Sequence, residues 1–222
     1  MILTIFLSLL VPLSVFIGLN IFNNVAITFL MFHFGICVLI PWIDLAIIKR
    51  LSIKEIMGLI GFRNFRKNIG WGALLGVVFL LSIYSFFVIL ANRLIDAASI
   101  RNLLMKWNVQ DQYLFSLLFI MIFANSVLEE IYWRGYIFAR LKANTGFFGT
   151  ILLTSLFYAS YHLITTGNLF SLQYGILLTT AVFLAGVFWG IVRYKSDSIW
   201  IPIISHMLAD LGIMMVYLRF IR

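Results

Sequence analysis

The sequence predicts an all-α fold, a polytopic transmembrane helical bundle of about seven spans, with six to eight as the range. Three observations carry this. Of 222 residues, 63% are hydrophobic and 11% charged, at a mean hydropathy of +1.07, whereas an ordinary soluble domain has roughly a quarter charged residues. Apolar runs of about 20 residues recur, and at ~1.5 Å rise each such a run crosses a hydrocarbon core of ~30 Å. In lipid the backbone must satisfy its own hydrogen bonds, so runs of that length read as helices.

In order, the spans are 2–22, 25–48, 69–90, 113–138, 147–165, 174–192 and 199–218. The opening MILTIFLSLLVPLSVFIGLN is read as a retained first helix. It has no basic n-region, its apolar run exceeds that of a signal peptide, and no small-x-small site follows. Between spans two and three, LSIKEIMGLIGFRNFRKN (51–68) sets Ile53, Ile56, Met57 and Ile60 at helical spacing among basic residues. That fits an interfacial helix on anionic lipid and, equally, a solvated loop. Residues 91–112 form a mixed helical connection on the other side. Gly186 and Gly190 give a GxxxG spacing in the sixth span, a helix-packing signal. No internal repeat or low-complexity tract interrupts the chain, which is read as a single domain, 1–222.

The net charge of +8 is divided by the spans. Lys49, Arg50, Lys54, Arg63, Arg66, Lys67, Arg140, Lys142, Arg193 and Lys195 make ten cations on one side; Arg93, Arg101, Lys106, Arg219 and Arg222 make five on the other. Positive loops stay cytoplasmic, which places the N-terminus inside. The basic balance is thus a membrane signature, and no nucleic-acid partner is expected. The single cysteine, Cys37, lies mid-span and can form neither an intramolecular disulfide nor a cysteine metal cluster.

Against this background, LEEIYWRGYIF (128–138) puts Glu129, Glu130 and Arg134 inside an oily run. Ionisable groups in a span cost a few kcal/mol or more, so they need partners or a wet cavity and are functional candidates. Others are His162 in the fifth span and His206 and Asp210 in the seventh. His33, alone in the second span, reads as a satisfied packing or interface residue. Residues four apart share a helix face, so Glu130 pairs with Arg134. Glu129, rotated by about 100°, shares the face of Asn125 and Trp133 and keeps no local countercharge, which suits a general base. His206 and Asp210 are four apart, as are Tyr158 and His162. Two histidines and two spare carboxylates on three spans look like a hydrolytic site in a cavity among the later helices. Counting residues, His206 lies about 14 Å inward from Asp197 and His162 about 25 Å from Thr145. The motifs come level only if the 139–146 hairpin projects by roughly two turns.

The combination Glu129-Glu130-x-x-x-Arg134, Tyr158-x-x-x-His162 and His206-x-x-x-Asp210 resembles the CPBP family of CAAX-processing and bacteriocin-processing intramembrane endopeptidases, also called the Abi family. EEIYWRGYIF is similar to that family's EExxxRG core, and the order and separation of the motifs agree over roughly 110–215. GLIGFRNFRKNIGWG looks like the basic stretch that precedes the core. The second motif usually begins with Phe, where this chain has Tyr158 beside Phe157; the third often ends in Asn, where it has Asp210.

The resemblance implies catalytic roles for Glu129, His162, His206 and Asp210, supported by Glu130, Arg134 and Tyr158. In a metal-free mechanism Glu129 activates water, His162 orients it, and His206 stabilises the oxyanion. An ionised Asp210 accepts only, so it orients His206. Alternatively, His162, His206 and Asp210 hold a metal, zinc being the ion that suits such ligands, although the HExxH spacing is absent. No cofactor is the favoured reading. Arg134 has a second candidate role, binding a substrate's terminal carboxylate near the cytoplasmic mouth. The expected partners are the bilayer and a membrane-associated peptide or protein, and the short loops suggest a bacterial cell membrane. The competing classes are a non-catalytic bacteriocin-immunity or scaffold protein, and a small-solute transporter, which would favour an internal repeat.

Overall fold

A computed structural model describes residues 1–222, save the side chain of Asp111. It is helical throughout, with no β-strand among the described residues. Among the described residues, seven helical stretches are long and apolar enough to cross a membrane. They are α1 (Ile2–Ile21), α2 (Val25–Ile48), a third stretch over Ile53–Leu94, α6 (Leu114–Lys142), α7 (Phe147–Leu169), α8 (Leu172–Ser196) and α9 (Trp200–Ile221). The third stretch divides into a short α3 (Ile53–Ile60) and the spanning α4 (Phe65–Leu94). The connection to α6 carries α5 (Ala97–Lys106), whose Asp96 cap accepts from the Ser99 N–H at 3.1 Å. Phe115, Phe148 and Ile89 stand outward, as lipid-facing side chains do.

Of the two readings of 51–68, the helix is the one that forms, over Ile53–Ile60. Ser52 and Glu55 make a reciprocal capping box at its start. Gly61, at φ +99°, ends it in the left-handed conformation that glycine adopts without strain. Ile60 then packs on Ile199 and Ile203 at the start of α9. The turn is clasped from the far end of α8. Arg193 Nη2 donates to Ile60 O at 3.2 Å, Ile199 N donates to Gly61 O at 3.0 Å, and Arg63 pairs with Asp197 at 2.9 Å. A Cβ at Gly61 would lie 2.6 Å from the Arg193 guanidinium.

Helix α4 packs along α9 through small residues. A Cβ at Gly76 would stand 2.5 Å from Leu208 Cδ1, one at Gly72 2.9 Å from Ile204, and one at Gly212 3.1 Å from Leu80 O. Gly72 and Gly76 are themselves four apart, a second seam of the kind noted at Gly186 and Gly190. The latter pair seats α8 on α7, with Ser155, Tyr158 and Ile151 against the glycines. Both seams let backbones approach behind the helices that carry the polar residues.

Candidate active site

Three helices bring their polar pairs together. Helix α6 supplies Asn125, Ser126, Glu129, Glu130 and Arg134; α7 supplies Tyr158 and His162; α9 supplies His206 and Asp210. All are buried except His162, which is partly so. Around Glu129, α6 winds wider: π-helical turns at Ile120–Asn125 and Ile131–Ile137 flank an α-helical Ser126–Glu130. Such turns are frequent at functional sites.

The projection is smaller than the two turns expected. Glu130, 14 residues before Asn144, touches His206, nine residues after Asp197. The α6–α7 turn therefore projects about five residues, roughly 8 Å, beyond the α8–α9 turn.

Arg134 Nη1 donates to Glu130 Oε1 at 3.1 Å with both side chains at 0% exposure, the pair that the spacing predicts. The guanidinium lies 4.2 Å from the Tyr158 ring centroid and 5.2 Å from that of Trp189, and Nη2 reaches Gly186 O at 3.4 Å. Sealed in this way, Arg134 is not at a mouth, which corrects its second candidate role as a receptor for a substrate carboxylate.

His206 sits between two carboxylates. Its Nδ1 bonds Glu130 Oε1 at 3.0 Å, and its Nε2 lies 3.6 Å from Asp210 Oδ1 and 3.5 Å from Tyr158 Oη. Trp189 stacks on the ring at 4.7 Å, tilted 27°. Asp210 Oδ2 accepts from Asn125 Nδ2 at 3.1 Å and Ser126 Oγ at 3.0 Å. His162 Nδ1 donates to Tyr158 O at 3.0 Å, so its Nε2 carries the lone pair. Glu129 is 2% exposed, with His33, His162 and His206 as its electrostatic neighbours. Its Oε2 has no hydrogen-bond partner among the described residues.

His33, read as a satisfied packing or interface residue, is buried with its Nε2 bonded to Asn125 Oδ1 at 2.9 Å, and it also lies 3.6 Å from Glu129 Oε1. A lone histidine in a distant span carries no spacing signal, and only the packing of α2 on α6 brings it in.

Residues 111–212 match the family model of the type II CAAX prenyl endopeptidases, Rce1-like. Over that stretch the chain is similar to the CPBP family. No curated protein and no solved structure matches the chain. The CPBP stretch holds all three motifs on α6, α7 and α9 and leaves α1–α5, with His33, outside it. An intramembrane protease, acting on a protein substrate in a membrane setting, is the activity class that goes with it.

Other features of the site become legible only in three dimensions. Glu130 holds His206 as well as Arg134, a contact between helices that the one-turn spacing on α6 does not show. Asn125, one turn before Glu129, was on the right face, but its link to Asp210 crosses to α9. Among the described residues no three His, Cys, Asp or Glu side chains are grouped so as to hold a metal ion.

Proposed function

We propose that this protein is an intramembrane endopeptidase that hydrolyses peptide bonds of a membrane-associated peptide or protein, with Glu129 as the general base. The observation that carries this is Glu129 itself: a carboxylate 2% exposed, amid three histidines and the buried Tyr161 hydroxyl, with one oxygen facing His33 and the other meeting no hydrogen-bond partner among the described residues. A base so placed is shielded from bulk water and free on one oxygen.

Glu129 Oε2 takes a proton as water oxygen bonds to the scissile carbonyl carbon. His162 Nε2, with its lone pair, accepts from the same water and orients it. The carbonyl oxygen becomes an oxyanion, met by a donor from His206. Asp210 and Glu130 face the two nitrogens of that ring and fix its orientation, and Arg134 neutralises Glu130. As the tetrahedral carbon collapses, the C–N bond breaks and Glu129 returns its proton to the leaving amine. No step requires a metal. The excess of cations on the 49–68, 139–146 and 193–198 loops supports a cytoplasmic N-terminus, and the short loops support a bacterial membrane and peptide substrates in place of prenylated proteins.

The test is cleavage of membrane-anchored peptides by purified protein, wild type against Glu129→Ala, each with and without chelator. The expected result is a fall in kcat of about 10²–10⁴-fold in the variant, with wild-type activity surviving chelation. Loss on chelation, restored by zinc, would give the histidines to a metal instead. Absence of cleavage across a broad panel would favour a non-catalytic peptide-binding protein.

A further inference from the structure

The Asn125 carboxamide decides which way the protons point around Glu129. Asp210 Oδ2 is a carboxylate acceptor, so the Asn125 atom facing it at 3.1 Å is the Nδ2 donor. Asn125 Oδ1 is thereby turned to His33 Nε2 at 2.9 Å. The second group at that nitrogen is Glu129 Oε1, 3.6 Å away. Both are acceptors, so His33 Nε2 carries the proton they share. The ring has little freedom to turn away: it is 6% exposed, stacked on Phe29 at 4.2 Å and 21°, and packed on Phe32 at 4.3 Å.

We propose that His33 is a positioning residue for the general base. Its Nε2–H bonds Asn125 Oδ1 and stands 3.6 Å from Glu129 Oε1, an electrostatic contact that steers the base, and through the Asn125 carboxamide it is joined to Asp210 and so to His206. Glu129 Oε2, which has no partner among the described residues, is left to take the proton of the attacking water. This rests on the hydrolase reading above and extends it to a residue on α2, outside the matched 111–212. Holding a reactive group within a fraction of an ångström is worth up to about 10²-fold in rate.

The experiment measures kcat and KM on a membrane-anchored peptide for wild type, His33→Met and His33→Gln, and repeats the substitutions in a Glu129→Gln background. A glutamine amide nitrogen can occupy the place of the imidazole Nε2; methionine fills the space without a donor. The expected results are a kcat about 10- to 100-fold lower in His33→Met with KM held within about threefold, and recovery to within about threefold of wild type in His33→Gln. In the Glu129→Gln background neither substitution should lower the residual rate further, since no base remains to be positioned. Where His33→Met unfolds before assay, His33→Asn takes its place, since its amide stops short of Glu129. Wild-type kcat in His33→Met overturns this inference and leaves the hydrolase reading standing. So does equal impairment of His33→Met and His33→Gln when both unfold at the wild-type temperature. A wild type that cleaves nothing overturns both.

Discussion

At the scale of single residues, the site is a set of buried charges that are stable only in company. Glu130 and Arg134 are both at 0% exposure, and taking one partner from a buried pair leaves an uncompensated charge at a cost of about 3–5 kcal/mol. Arg134→Met should therefore lower the thermal unfolding temperature in detergent substantially. The double variant Glu130→Gln/Arg134→Met should recover part of that loss, because it leaves no lone charge. The pair was legible in sequence because helical periodicity alone makes positions four apart neighbours. The Glu130–His206 and His33–Glu129 approaches were not, because no local rule relates residues 76 or 96 positions apart.

Among elements, hydropathy located the spans because lipid imposes a length and a composition on them. What it could not settle was α3, where apolar spacing alone fits a helix and a loop equally. The Ser52-x-x-Glu55 box and Gly61 decide it, both local signals present in the sequence but outranked there by the basic composition. The glycine seam of α4 was also missed, since Gly72 and Gly76 sit in a run whose hydropathy is uniform. That seam gives a sharp expectation. A Gly76→Leu side chain would run into Leu208, which lies between His206 and Asp210 in sequence. Overpacking of this kind costs typically about 1–3 kcal/mol. A drop in unfolding temperature should come with a drop in kcat, whereas Gly70→Leu, at a position with open space around it, should change neither.

For the molecule as a whole, the motifs proposed as catalytic lie in 111–212, yet contacts that hold them come from further away. Arg193 Nε donates to Arg134 O at 2.9 Å while its Nη2 holds the α3 turn, so the surface helix and the active-site helix share one guanidinium. Helix α2 brings His33, and α4 backs α9. The matched stretch thus holds the three motifs, and the first half of the chain packs against the helices that carry them.

The burial of Cys37 has a practical consequence. Its side chain is 0% exposed and it is the only thiol, so the native protein should be silent to a membrane-impermeant maleimide. Any cysteine added at a loop then reports its own compartment without first mutating the background. On intact cells, Asn108→Cys should label at once and Asn144→Cys only after the membrane is opened; the reverse order would invert the whole topology. The same silence makes the chain ready for paired spin labels, which could follow the α6–α7 turn against the α8–α9 turn as a peptide docks.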